Sequence, residues 1–390
     1  MTRSRVLFID HVGALGGAEL AIENVVRAYR DTSTVVLFAD GRFRQRLAAA
    51  GVRVQVIDGG EALHAVRRET RWVGPRALAR VWSLARRLTV LAKDHDLIHA
   101  NSQKAFVVAS LVGAMARRPV IWDLNDLVTP EHFSRTNIWI DVTLANRCAA
   151  LVIANSKASA DALVEQGGKP DKVRVVYNGI TSGGFDSISD DEVSRVRREL
   201  GLSNAPLIGL FGRLAEWKGQ HIAIDALNLL QDAHLVIVGD ALFGEDDYAA
   251  GLRAQVERLG LRARVHFLGF RSDVERLMRA VDIVIHTSTA AEPFGRVIVE
   301  GMLARRPVIA TQAGGVEEIL DHGVTGLMVP PGDVGALALA LRSLLQDPEK
   351  AASLARAGRV HAESTFTVDA MVHAMTSHIE AVGHSCRASA

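Results

Sequence analysis

Cysteine is nearly absent: only Cys148 and Cys386 occur in 390 residues, far apart and outside any C-x-x-C spacing. That excludes a disulfide framework and a structural zinc site, and it fits a reducing compartment. Long apolar runs are missing too. The longest, Ala105 to Ala116, is about half of the ~20 residues a bilayer crossing needs. At the N-terminus Asp10 follows directly on a short apolar run, a pattern no signal-peptide core carries. No short-period repeat and no low-complexity tract is visible. His11, His99, His266 and His286 lie at strands or strand ends without metal-ligand spacing, so no metal site is expected.

What is present points to a well-packed chain of more than one domain. Hydrophobic residues make up 48% and charged residues 23%, which excludes disorder, and the length suits two or three domains. The net charge of +1 hides a division. Residues 1–180 hold 25 basic and 17 acidic side chains, residues 181–390 hold 20 and 27. Such a split suits two surfaces that meet different partners.

Short β-branched runs alternate with amphipathic stretches. Val6–Ile9, Thr34–Phe38, Val52–Ile57, Leu97–His99, Val120–Trp122 and Leu151–Ile153 read as buried strands. After the turn formers Asn178-Gly179 and Thr181–Gly184 the alternation restarts with Leu207–Phe211, Leu235–Val238, Val265–Leu268, Ile283–Ile285 and Val308–Ala310. This predicts an α/β protein of two doubly wound, Rossmann-like domains with parallel sheets. The expected layout is a first domain over 1–180, a linker over 181–205 that carries a charged helix (Asp190–Leu200), and a second domain over 206–360. A helix over Val360–Val382, in the segment 361–390, returns to the first domain.

Open α/β sheets bind ligands beyond the carboxyl ends of their strands, and three loops there are unusual. Gly13-Ala-Leu-Gly16-Gly17-Ala-Glu19 leads from the first strand into a helix. Paired glycines let a ligand reach the backbone and a helix start favours an anion, although a plain tight turn accounts for the spacing equally well. Gly212-Arg213 to Lys218-Gly219 puts two cations after the second domain's first strand. That suits a departing diphosphate, with solvated surface charge as the alternative. In Glu292-Pro-Phe294-Gly295 to Glu300, two carboxylates bracket a helix start. Carboxylates accept hydrogen bonds from sugar or ribose hydroxyls, or they merely favour the helix dipole.

Together with Asn155-Ser156, Tyr177–Ile180, Val265–Gly269 and Gly314-Gly315-Val-Glu317-Glu318, these loops resemble the retaining glycosyltransferases of family 4 over essentially the whole chain. The resemblance implies the GT-B fold, two Rossmann-like domains facing each other across a cleft that closes on the donor. It implies transfer of a sugar from a nucleoside-diphosphate sugar, a UDP- or GDP-sugar, to a hydroxyl acceptor with retention. No metal or bound cofactor is implied. Arg213 and Lys218 would hold the diphosphate as it departs. Glu292, with N–H groups around Phe294 and Gly295, would bind the donor sugar, and Glu300 the ribose. Gly16 and Gly17 would approach the diphosphate from the first domain. Where the family often carries a His-Asp pair, this chain reads Asn125-Asp126 on the acceptor side, and an amide accepts no proton.

The segment His64–Lys93 holds eight Lys and Arg, one acid, Trp72 and Trp82. It reads as a solvated helix or as a site for an anionic acceptor or membrane surface. The expectation is a cytoplasmic enzyme of polysaccharide, glycolipid or glycoconjugate synthesis, peripheral at the inner face of a membrane, with no nucleic-acid partner. The rival readings are a nucleotide-sugar epimerase or sugar phosphorylase with a similar donor site, and a non-catalytic nucleotide-sugar-binding partner.

Overall fold

The computed structural model describes residues 3–58, 75–202, 204–241 and 244–389. The chain divides into two compact units, one of residues 1–179 with 368–390 and one of residues 180–367.

Unit 1 runs β1 (Val6–Asp10), α1 (Gly17–Ala28), β2 (Thr34–Leu37), α2 (Arg42–Ala49), β3 (Val54–Val56), α3 (Pro75–Ala92) and β4 (Leu97–Ala100). It continues with α4 (Gln103–Ala116), β5 (Val120–Leu124), α5 (Arg135–Arg147), β6 (Ala149–Ala154), α6 (Lys157–Glu165) and β7 (Val173–Val175). The strands pair in parallel in the order β3-β2-β1-β4-β5-β6-β7. Strands buried on both faces explain the continuous β-branched runs. One core lies against α3 to α6, with Trp122 stacked on Phe106 at 4.4 Å. Ser102, Ser134 and Ser156 cap α4, α5 and α6 by accepting a backbone N–H. This satisfies groups a helix start leaves without partners.

Unit 2 begins with α7 (Gly183–Asp186), α8 (Asp190–Glu199), β8 (Leu207–Phe211), α9 (Gln220–Asn228), β9 (His234–Val238), α10 (Asp246–Arg258) and β10 (Val265–Gly269). There follow α11 (Val274–Ala280), β11 (Ile283–His286), α12 (Arg296–Leu303), β12 (Val308–Thr311), α13 (Val316–Ile319), β13 (Leu327–Val329), α14 (Val334–Gln346) and α15 (Pro348–Thr365). Its parallel order is β10-β9-β8-β11-β12-β13. In each unit the chain reverses its winding direction at the first strand, so a crevice opens beyond β1 and β4 and another beyond β8 and β11.

The structure differs from the sequence reading in three places. The edge strands β7 and β13, three residues each, lack a periodic signal and escape it. Residues 181–205, expected as a linker with one charged helix over Asp190–Leu200, carry that helix as α8 and a further short one, α7. A reciprocal capping box of Ser189 with Glu192 starts α8, and Arg197 ties it to Asp282 at 3.0 Å. The helix expected over Val360–Val382 is two helices. α15 stops at Thr365, and α16 (Val368–Ser389) belongs to unit 1.

α16 closes the second core of unit 1, on the face of α1 and α2, with Met371, Met375 and Ile379 buried there. Its Glu380 accepts hydrogen bonds from Ser4 Oγ at 2.7 Å, Ser4 N at 3.1 Å and Tyr29 Oη at 3.0 Å. Ile379→Ala should therefore destabilise unit 1 by about 2–5 kcal/mol, as large-to-small core changes do. Denaturant unfolding followed by intrinsic tryptophan fluorescence checks this, and an unchanged midpoint would show that α16 is not part of the folded core.

Candidate functional site

In unit 2 three loops at the carboxyl ends of strands are fastened together. After β8, Gly212 has φ 138°, and a short 3-10 turn over Glu216–Lys218 leads to Gly219 at φ 68°. A Cβ on Gly219 would stand 2.0 Å from the carbonyl oxygen of Thr287, so only glycine lets this turn press against the end of β11. Thr287 Oγ1 donates to the carbonyls of Lys218 and Gly219, both at 3.0 Å, and Thr289 N donates to Trp217 O at 2.7 Å. The loop after β12 holds the next stretch. Gly315 N donates to Glu292 O at 2.8 Å, and a Cβ on Gly314 would stand 2.5 Å from that oxygen.

This frame sets the Glu292 carboxylate under Lys218. Lys218 Nζ lies 2.6 Å from Glu292 Oε2, His286 Nε2 lies 3.0 Å from it, and Ser288 Oγ donates to it at 3.1 Å. Thr311 Oγ1 donates to Ser288 O at 2.8 Å and fixes that loop. Burial pushes the Glu292 carboxyl up, but Lys218 and His286 outweigh it and hold the group well below the usual carboxylate range. Glu292 is therefore an ionised acceptor. Among the described residues its three partners converge on Oε2, which leaves Oε1 for a ligand hydroxyl. The indole of Trp217 lies beneath both cations, with Lys218 Nζ 4.1 Å and the Arg213 guanidinium 5.7 Å from the ring centroid. That geometry suits cation–π attraction.

Phe294 is buried edge-on against Phe366 at 5.7 Å. Gly295, at φ 98°, caps α12, whose first N–H groups have no intrahelical partner. Glu300 sits one turn inside α12 with Arg296 Nη2 3.3 Å from its Oε1. Burial and the neighbouring Glu275 raise its pKa, and Arg296 opposes them.

In unit 1 the carboxyl ends of four strands share a chain of polar side chains. Asn101 Nδ2 donates to Asp10 Oδ2 at 2.6 Å, and Asn125 Nδ2 reaches Asn101 Oδ1 at 3.5 Å and Asp123 Oδ1 at 3.3 Å. Asn155 Nδ2 in turn donates to Asn125 Oδ1 at 3.4 Å. Asn125 thus bridges a carboxylate and two amides. Burial, then Asp10, pushes Asp123 up to about 7. Asp126 follows in the same loop, near enough to raise Glu19 and Asp141. The crevice end of unit 1 is therefore acidic, against the basic balance of the unit as a whole. Exposed arginines Arg80, Arg86 and Arg87 lie on α3 with Trp82. Arg67, Arg68, Arg71 and Trp72 fall outside the described residues.

The structure brings Arg213, Lys218 and Glu292 together, with Phe294, Gly295 and Glu300 on the adjoining helix start. Gly16, Gly17, Asn125 and Asp126 line the crevice end of unit 1. Sequence reasoning set His286 aside and missed Ser288 and Thr311. Their signal was the polar run His286-Thr-Ser288 closing a buried strand. Among the described residues no group of three or more His, Cys, Asp or Glu is placed to hold a metal ion.

Two Rossmann-like sheets, with paired cations and an ionised carboxylate at one switch point, define the class. The matches to known proteins agree with it. Residues 193–361 match the family of glycosyl transferases group 1, and residues 16–179 match the glycosyl transferase 4-like domain. The chain belongs to the glycosyltransferase group 1 family. Among solved structures it is similar to Anabaena Alr3699/HepE in complex with UDP-glucose, with a TM-score of 0.90 and 41% identity over 97% of this chain and 100% of that one. Among curated proteins it is 30% identical to the uncharacterised glycosyltransferase MJ1607 of Methanocaldococcus jannaschii, over 68% of this chain and 70% of that protein. It is 26% identical to the sulfoquinovosyl transferase SQD2 of Arabidopsis thaliana over 69% of this chain, and spans only 53% of that relative's length.

The Lys218–Glu292 pair yields a stability prediction. Glu292→Gln should cost unit 2 about 2 kcal/mol at neutral pH, the scale of a charge-assisted hydrogen bond. Because the folded pKa lies below the usual glutamate value of 4.5, the wild-type advantage is complete above that value and is lost as the pH falls through the folded pKa. Urea unfolding of both proteins at neutral and acid pH tests it. A difference that stays constant into acid would show that Glu292 charge contributes nothing.

Proposed function

We propose that this chain moves a sugar from a UDP-sugar to a hydroxyl acceptor with retention at the anomeric carbon, as family 4 enzymes do. The observation that carries the reading is the cation pair over Trp217 beside the ionised Glu292, at the switch point of a Rossmann-like sheet. Arg213 and Lys218 take the diphosphate and neutralise the charge that develops as it leaves. Glu292 offers Oε1 to donor-sugar hydroxyls, the helix start at Phe294 and Gly295 offers N–H groups, and Glu300 takes the ribose hydroxyls. Gly16 and Gly17 are assigned to phosphate contact. UDP rather than GDP is the proposed base, on the strength of the UDP-glucose complex of HepE.

Asn125 and Asp126 belong to the acceptor side. Since Asn125 takes no proton, the step is a same-face substitution. The bond from the anomeric carbon to the phosphate oxygen breaks, the acceptor oxygen bonds to that carbon, and the acceptor proton passes to the departing phosphate. Arg213→Ala should lower kcat by about 10²-fold, as loss of preorganised charge stabilisation does. Glu300→Gln should weaken UDP binding by about 1–3 kcal/mol. A coupled UDP-release assay and calorimetry measure these. Unchanged turnover in the first or unchanged affinity in the second would remove that residue from its role.

The acceptor is proposed to be presented at an anionic membrane surface. On α3, Trp82 and Val90 are exposed beside Arg80, Arg86 and Arg87, and each arginine near anionic headgroups gains about 1 kcal/mol. No helix among the described residues is long and apolar enough to cross a membrane, so this contact would be reversible and screened by salt. Sedimentation with phosphatidylglycerol vesicles should fall with salt and with Arg86→Glu/Arg87→Glu. No binding at low salt would overturn it.

A further inference from the structure

The turn that opens α1 already holds a carboxyl group of its own. Gly16 caps the helix with extended backbone, and a Cβ built on Gly16 would stand 2.6 Å from Glu19 Oε2. The Glu19 carboxylate is thus folded back over the paired glycines. Backbone groups of Gly16 and Glu19 favour its charged form, the residue is only 8% exposed, and no other side chain of the described residues hydrogen-bonds or ion-pairs with it. A carboxylate at this position takes the N–H groups and the positive helix end that would otherwise meet a ligand phosphate.

We propose that Glu19 competes with a ligand phosphate for the Gly16-Gly17 turn, which admits the phosphate only when Glu19 is protonated or swung aside. The inference rests on the nucleotide-sugar reading and adds to it a group that regulates donor entry. The ionisable neighbours make protonation the easier route. Asp10 at the end of β1 and Asp126 after β5 both repel a charge on Glu19. Asp10 also raises Asp123 of β5, and His11 Nδ1 lies 3.5 Å from Asp10 and 2.7 Å from Ser102 Oγ. One turn along α1, Glu23 is already neutralised by Arg27 at 2.6 Å and by Arg46 of α2 at 2.9 Å. On α16, packed along α1, the groups beside Arg27 are Asp369 and His373. Burial first, then Asp10, pushes Glu19 up to about 8. Protonated, Glu19 can yield the turn to a ligand anion, and it closes the turn as it ionises with rising pH.

The test is calorimetric titration of the full chain with UDP at about pH 7 and about pH 9. Wild type should lose up to about tenfold in affinity over that span beyond any change shared with the variants, since the protonated share of Glu19 falls from about nine-tenths to about one-tenth. Glu19→Gln should show the shared change only, and Glu19→Ala should bind at least as tightly as wild type at both. Parallel pH dependence in all three proteins overturns the role of Glu19 while leaving the UDP reading standing. Failure of wild type to bind UDP at neutral pH overturns both. Should the variants not fold, the wild type alone decides. UDP titrated at about pH 8.5 in buffers of different ionisation enthalpy should show proton uptake, and its absence overturns the proposal.

Discussion

The candidate site of unit 2 depends on one electrostatic balance: a carboxylate kept charged while almost wholly withdrawn from water. Burying Glu292 is costly unless its charge is paired and its lone pairs are satisfied. Lys218, His286 and Ser288 supply that compensation from two loops, and a third loop holds the backbone in place. The glycines follow from this demand. Gly219 and Gly314 adopt left-handed conformations in which another residue would drive a Cβ into a neighbouring carbonyl. The arrangement costs backbone freedom and returns a carboxylate whose charge and direction are fixed before a ligand arrives, which is the condition for efficient transition-state stabilisation.

Much of the fold was legible because both sheets are parallel and buried on both faces. Runs such as Val6–Ile9 and Leu207–Phe211 have no solvent face to interrupt them, so they stand out from amphipathic helices. The strands that escaped, Val173–Val175 and Leu327–Val329, are edge strands of only three residues each. The 181–205 stretch reads as a linker because glycine and serine punctuate it and seven of the ten residues of α8, its one expected helix, are charged. Its fixity comes from Arg197 with Asp282 and Asp186 with Arg359, ion pairs between residues distant in sequence. Loops carrying Arg213, Lys218 and Glu292 could be picked out by their place after strands. That Lys218 and Glu292 touch could not, because 74 positions separate them.

Charge shows the same division between what composition reveals and what geometry decides. Unit 1 is basic by count, yet its crevice end gathers Asp10, Glu19, Asp123 and Asp126, and the amides of Asn101, Asn125 and Asn155 fill the spaces between. A histidine at position 125 would add a titrating cation to that set. Asparagine instead donates to Asn101 and Asp123 and accepts from Asn155 without changing the charge, so the local field stays governed by carboxylates.

The path of the chain has a consequence for how the protein is made. The helix Val368–Ser389 completes a core begun by residues 1–179, and all of unit 2 is inserted between them. During synthesis unit 1 must wait, with the β1 face that receives Met371, Met375 and Ile379 uncovered, while nearly 190 intervening residues emerge. At about 5–20 residues per second that exposure lasts roughly ten to forty seconds. The first unit to be translated is therefore the last to be finished, and unit 2 can reach its native state on the ribosome while its partner is still incomplete.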